Sequence, residues 1–255
     1  TDPFGKFIKK ELKKNNIGID YVYYDDKHCT GHQIKELVSK GDPFVFNYRS
    51  NSAASFIDSA ILDDIDLSET KIAHLTGIFP AISSSAYDTY IELINILKRK
   101  NITITFDPNL RPALWKSKEE MINTLNYIAS KCDIILPGIN EGKILVGNTD
   151  PEIISDFYLK NPHTKAVVTK LGPDGAYIKQ KNKHGFKIDG FKSHVKDTVG
   201  AGDGFALGFI SGLLENLSLD NAVKRGNAVG ALQVQTYGDN DGYPTKKELE
   251  TFMNS

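Results

Sequence analysis

The chain has 255 residues, 31 Lys+Arg against 32 Asp+Glu for a net charge of −1, and 40% hydrophobic with 25% charged residues. This is the balance of an ordinary globular α/β chain with a sizeable core, and nothing in it calls for a nucleic acid or an anionic membrane as partner. Cys29 and Cys132 form no CxxC, and no apolar run approaches the roughly 20 residues that span a bilayer, so the reading is a cytoplasmic protein without a disulfide framework or cysteine zinc site.

Asp2-Pro3 ahead of Phe4, Phe7, Ile8 and Leu12 predicts an N-capped amphipathic helix ending near Asn16. Between Asp20 and Tyr48 lie three short β-like runs, DYVYY, GHQIKELV and PFVFNY, with the turn Lys40-Gly41-Asp42-Pro43 among their separators and no room for crossover helices, which predicts a small antiparallel sheet. From Lys71 strand and helix alternate: KIAHLTG, a helix around 86–100, ITITFD, a helix around 117–131, DIILP, a helix near 150–160, and KAVVTK. These strands are apolar on both faces, as in a parallel sheet covered by helices. Two further strand-like runs, GAYIKQK and GFKIDGF, precede helices around 201–215 and 219–236 and a last one after Pro244. No internal repeat or low-complexity linker divides the chain. The expected architecture is one domain over 1–255, α/β, with a doubly wound, mostly parallel sheet flanked by helices and a small β-sheet lid within about 20–50.

The stretch DTVGAGDGFALGF, Asp197–Phe209, is locally unfavourable, because glycine inside a helix costs roughly 0.5–1 kcal/mol against alanine. A turn of small residues opening a helix points backbone N–H groups and the positive end of the helix dipole at one place, which suits phosphate. Gly200 and Gly202 permit close approach, while Gly204 and Gly208 suit tight helix packing. Asp203 would repel a phosphate at rest, yet an enzyme that transfers a phosphoryl group to a hydroxyl needs a carboxylate there to take the proton. The competing reading is a plain helix start with Asp203 as a first-turn acid. A dinucleotide fingerprint fails at Phe205, and the chain has no P-loop.

DTVGAGDGF resembles the C-terminal signature of the PfkB, or ribokinase-like, carbohydrate kinases. DPFGKF, FNYRSNSAAS, TGIFPAIS, FDPNLRPALW, LPGINEGKIL and GALQVQTYGDNDGYPT are similar, in order, to one branch, the 2-keto-3-deoxygluconate kinases. The resemblance implies an ATP-dependent, Mg²⁺-assisted kinase acting on the 6-hydroxyl of 2-keto-3-deoxygluconate, a small β lid, and room for a monovalent cation; the exposed face of such an accessory sheet leads to the expectation of a homo-oligomer through the lid. It implies Asp203 as catalytic base and Gly200, Ala201 and Gly202 as the anion hole. It implies a nucleotide-binding turn at Lys170, Leu171, Gly172, Pro173, Asp174 and Gly175, with Asn109 and Asn227 also on the nucleotide side. Arg49, Tyr48, Arg111, Asp203 and Asp239 fall on the substrate side, and Glu141 on magnesium. A planar guanidinium matches a sugar carboxylate, which is why an acid sugar is preferred to ribose.

Plainer readings stand beside these: a β-turn between strands for Lys170–Gly175, a solvated loop arginine for Arg111, a strand aromatic for Tyr48, a buried helix asparagine for Asn227, an ordinary acidic glycine turn around Asp239. Gly138 replaces an asparagine common in the family, Asn47 replaces a tyrosine of the branch, and the strand and Gly-Gly lid segment that precede the DPFG helix in relatives have no counterpart in this sequence. The six histidines lack metal spacing and read as structural or solvated, and Trp115 as a packing anchor. Rival functions are another sugar kinase such as ribokinase or fructokinase, a non-catalytic sugar or nucleotide sensor, and an oxidoreductase disfavoured by the missing fingerprint.

Overall fold

The structure is a computed structural model that describes residues 1–36 and 45–254. The turn expected at Lys40–Pro43 and the adjoining ends of two lid runs lie outside the described residues. Backbone contacts group the chain into two units, Thr1–Glu69 with Ile78–Arg99, and Thr70–Gly77 with Lys100–Ser255.

In the smaller unit, α1 (Pro3–Lys14) starts as expected. Asp2 caps it, with Oδ1 accepting from Gly5 N at 2.8 Å, and the same carboxylate accepts from Thr30 N at 2.7 Å and Thr30 Oγ1 at 2.9 Å. Those donors, Gly5 N–H first, pull the Asp2 carboxyl down to about 2. The lid ribbon consists of β1 (His32–Lys35) and β2 (Val45–Tyr48), antiparallel with Ile34 opposite Phe46. The run DYVYY is not a strand. Its Tyr21 Oη accepts from Asp66 N at 3.1 Å and Tyr23 Oη donates to Asp64 Oδ2 at 3.2 Å, so the segment is held by its side chains. β propensity is realised only against a neighbouring strand, and this run has none among the described residues. α2 (Ser84–Arg99) completes the unit, starting two residues before the expected 86.

The larger unit holds six strands in sheet order identical to chain order: β3 (Ile72–Thr76), β4 (Thr103–Asp107), β5 (Ile134–Ile135), β6 (Ala166–Lys170), β7 (Ala176–Gln180) and β8 (Phe186–Ile188). The first four run parallel, and β7 and β8 return antiparallel. Its helices are α3 (Lys118–Ala129), α4 (Ile139–Leu145), α5 (Pro151–Leu159), α6 (Ala201–Leu214), α7 (Leu219–Gln233) and α8 (Lys246–Met253). Alternate residues of β6 and β7, Ala166, Val168, Ala176 and Ile178, share a buried cluster with Phe205, Ala206 and Phe209 of α6 and Ala222 and Val223 of α7. α5 also packs on β6 and β7, and the period-2 alternation of strands assigns helices to both faces of the sheet. The α6–α7 contact is backbone to backbone: a Cβ on Gly208 would stand 2.7 Å from Arg225 O, which confirms the packing role expected for that glycine.

α4 is an element the sequence reading missed, because seven residues with a glycine in the middle carry too little periodicity to be seen. α7 ends at Gln233, three residues before the expected 236, because Thr236 turns back and bonds Gln233 O through its N (3.2 Å) and Oγ1 (3.0 Å).

Phe209 is fully buried at the centre of the α6 cluster. Phe209→Ala is expected to lower unfolding stability by about 3–5 kcal/mol, read as a fall in the urea midpoint without a change in slope.

Candidate active site

Parallel strands bring their carboxyl ends to one edge, and there the larger unit concentrates its charge. β4 ends in Asp107, β6 ends in Lys170, and between them β5 leads through Gly138 into α4, which carries Glu141. The Lys170 ammonium lies on Asp107 Oδ2, with side-chain exposures of 17% and 4%. Glu141 spans the neighbouring loops: Oε1 accepts from Leu110 N at 2.9 Å and Oε2 from Gly138 N at 2.7 Å. Gly77 follows β3, bonds Asp107 O through its N at 2.9 Å, and lies so close that a Cβ would stand 2.1 Å from Pro108 O.

Opposite this cluster α6 begins. Gly200 is its N-cap at φ 78°, the left-handed region that glycine adopts without strain, and a Cβ there would meet Asp239 O at 2.0 Å. Ala201 N bonds Thr198 O at 3.3 Å, and Gly204 N is the one that closes the first helical bond, to Gly200 O at 2.8 Å. Helix geometry thereby leaves Gly202 N–H and Asp203 N–H as first-turn donors without an acceptor inside the helix. A Cβ on Gly202 would stand 3.7 Å from Lys170 Nζ, so the ammonium and the helix start face one space.

The electrostatics of the buried groups show the same convergence. For Lys170, burial pulls the ammonium pKa down, but the charges of Asp107, Glu141 and Asp203 outweigh it and the net shift is upward. Burial pushes Glu141 up, with Asp107 adding and Lys170 opposing. His74, on β3, is depressed chiefly by burial and feels Asp107, Lys170 and Asp203, while its Nδ1 lies 2.9 Å from Thr105 Oγ1. Tyr243 is pushed up to about 12, first by burial and then by Asp203 and Asp239.

Of the expected site residues, the larger unit brings together Gly200, Ala201, Gly202, Asp203, Lys170, Glu141 and Asp239. Lys170 opens the expected nucleotide turn, and its side chain runs from there to Asp107. In that turn, Gly172 (φ 64°) and Gly175 (φ 95°) bracket Pro173 and Asp174, with Leu171 N bonding Gly175 O at 2.8 Å. Asn227 spends its amide N–H groups on Ile188 O (3.2 Å) and Asp189 O (3.1 Å), so it braces the end of β8. Asn109 adopts φ 42°, and Arg111 Nη1 is occupied by Asn109 Oδ1 at 2.7 Å and Leu110 O at 2.8 Å on an exposed side chain. Arg49 and Tyr48 belong to the smaller unit, where Arg49 Nη2 donates to Gln33 Oε1 at 3.2 Å and Tyr48 stacks on His32 at 4.9 Å. The sequence reading missed Asp107, Tyr243 and Gln233. Asp107 alone had a signal, as the acid at the carboxyl end of a buried strand.

Among the described residues no group of three or more His, Cys, Asp or Glu is placed to hold an ion. Asp107 and Glu141 offer hard oxygens, which fits an ion that keeps water and phosphate ligands better than one caged by protein. No helix among the described residues is long and apolar enough to cross a membrane.

Residues 1–246 match the pfkB family of carbohydrate kinases. The chain is 44% identical over 257 residues to the 2-dehydro-3-deoxygluconokinase of Bacillus subtilis (strain 168), covering 100% of this chain and 79% of that protein. Among solved structures it is similar to a PfkB protein from Polaromonas sp. JS666, with 38% identity, a TM-score of 0.87 and coverage of 98% and 80%. It is also similar to an E. coli protein described as a ribokinase II, in complex with ATP and Mg²⁺, with 26% identity, a TM-score of 0.86 and coverage of 100% and 80%.

A phenol raised from 10.0 to about 12 contributes stability below pH 10 that is lost as the pH rises through its folded value. Tyr243→Phe removes that ionisation, so its melting temperature should fall less steeply than the parent's between pH 10 and 12; parallel curves would show that burial and the neighbouring carboxylates do not raise this group.

Proposed function

The chain belongs to the pfkB family of carbohydrate kinases, and on that premise we propose that it transfers the γ-phosphoryl group of ATP to the 6-hydroxyl of 2-keto-3-deoxygluconate. The observation that carries the reading is Asp203 in the first turn of α6, beside the N–H groups opened by Gly200 and within the field of Lys170.

The Asp203 carboxylate takes the hydroxyl proton as the sugar oxygen attacks the γ-phosphorus. The new O–P bond forms, the bond to the bridging oxygen breaks, and ADP carries that electron pair away. First-turn N–H groups and the helix dipole bear the charge on the transferred group. Lys170, held protonated by its carboxylate neighbours, adds a fixed positive charge at the same place. Mg²⁺, when bound with the nucleotide, would neutralise phosphate charge, with Glu141 and Asp107 as the carboxylates toward it. The Gly172–Gly175 turn supplies backbone for the nucleotide, and Asn227 keeps β8 in place behind it.

For the sugar acid, Arg111 keeps guanidinium donors beyond the one bound to its own turn, and Arg49 with Tyr48 takes the substrate-side role that the family resemblance implies. Asp239 joins Asp203 around Tyr243. The 44% identity to a 2-dehydro-3-deoxygluconokinase supports the acid sugar over a neutral one. Ile34 and Phe46, paired in register and 54% and 53% exposed, support association of copies through the lid. The cytoplasm, where ATP is made and thiols stay reduced, is the proposed setting.

Asp203→Asn is expected to leave ATP binding nearly intact and to lower kcat by ~10²–10⁴; unchanged turnover would remove the base from the mechanism. A coupled assay should show the acid sugar preferred over ribose and fructose, and the reverse preference would move the chain to a neutral-sugar branch. Lys170→Met should lower kcat by about 10²–10³. An unchanged kcat in Lys170→Met would leave the Lys170–Asp107 pair a structural role only.

A further inference from the structure

Gln233 ends α7, and its side chain is wholly buried. Its amide makes three bonds to the backbone of two different loops. Nε2 donates to Val199 O at 3.3 Å and to Gly238 O at 2.7 Å, and Oε1 accepts from Gly242 N at 3.0 Å. The next residue continues the grip: Val234 O accepts from Lys196 N at 2.7 Å and Asp197 N at 3.3 Å. One helix end therefore holds both the segment that enters Gly200 and the turn that carries Asp239.

The fit is close on every side. A Cβ on Gly200 would meet Gln233 Nε2 at 3.1 Å as well as Asp239 O at 2.0 Å, and one on Gly242 would meet Gln233 Cα at 2.7 Å. Two carbonyls on one side and one N–H on the other match a primary amide, with its two donors on nitrogen and its acceptor on oxygen. A methionine of similar length offers none of these bonds. A glutamate offers the acceptor but turns a carboxylate toward two carbonyl oxygens, a repulsion relieved when the acid is protonated and regains a donor.

Resting on the kinase reading above, we propose that Gln233 is a positioning residue for phosphoryl transfer. Its amide sets the spacing between the Gly200–Asp203 turn and the Asp239–Tyr243 turn, and so keeps the first-turn N–H groups and the Asp203 carboxylate aimed at one reacting phosphoryl. A misplacement on the order of 1 Å at such a site costs about 10²-fold in rate, so the bonds matter more for turnover than for substrate capture.

The test compares Gln233→Met, Gln233→Glu and the unaltered protein in kcat, in KM for ATP and for the sugar acid, and in melting temperature. Gln233→Met should lose roughly 10- to 100-fold in kcat with little change in KM for ATP. Gln233→Glu should be poorly active at neutral pH, and its kcat relative to the parent should rise as the pH falls, because burial raises the carboxyl pKa and the protonated acid donates again. A folded Gln233→Met with the parent's kcat, or a Gln233→Glu to parent ratio that is flat with pH, overturns the proposal even if both variants melt earlier. An inactive parent would instead overturn the kinase reading. Should Gln233→Met not fold, the pH ratio decides. Should neither fold, hydrogen exchange of the unaltered protein decides: Gly242 N–H and the amides of 200–204 must exchange through one shared opening, and independent openings overturn the coupling.

Discussion

The contact on which the active edge depends is the Lys170 ammonium laid on the Asp107 carboxylate between the ends of β4 and β6. Two charges so nearly removed from water are a doubtful source of stability, since desolvation consumes most of what their attraction returns, and an apolar pair of the same volume would serve the fold as well. The pair makes sense through what surrounds it. Glu141 and Asp203 bring two further carboxylates into the field of one ammonium, an excess of acid that suits a divalent cation arriving with a nucleotide. On the proposed kinase reading, the ammonium in turn offsets part of the repulsion that Asp203 would exert on an incoming phosphate. Without Lys170 the helix start would attract an anion with its N–H groups and reject it with its carboxylate.

The fold was largely legible because its signals are periodic and repeated. Runs such as ITITFD and KAVVTK are apolar on both faces, and the structure makes them the buried parallel strands β4 and β6. The exceptions share a cause. DYVYY has the composition of a strand but no partner to ladder with among the described residues, and α4 has a partner but too few residues to show a period. Composition declares what a segment could do; neighbours decide whether it does.

The candidate site was legible to the extent that its residues are contiguous. The GAGD turn concentrates glycine and acid within four residues, and its first-turn N–H groups follow from the helix it opens. Asp107, Tyr243 and Gln233 were hidden because each acts across a sequence gap: Asp107 on Lys170, 63 residues away, and Gln233 on Val199, 34 residues away. Nothing local marks an amide at the end of a helix as a brace. Asn227 shows the converse. The family resemblance places it on the nucleotide side, and its amide donors are committed to the backbone at the end of β8.

The glycines around Asp203 complete the physical account. Gly200 is obligatory twice over, for its left-handed backbone and for the carbonyl of Asp239 that occupies the space of a side chain. Gly208 is needed for a different reason, letting the backbone of α6 rest on that of α7 at Gly226. That contact fixes the axis of α6 against the helix whose last residue is Gln233. The loss of helix propensity along the stretch is thus offset by two devices that act on one carboxylate: packing that sets the direction of α6, and an amide that sets the position of its first turn. A helix start built from alanine would be more stable in isolation and would have neither the approach nor the aim that the transfer requires.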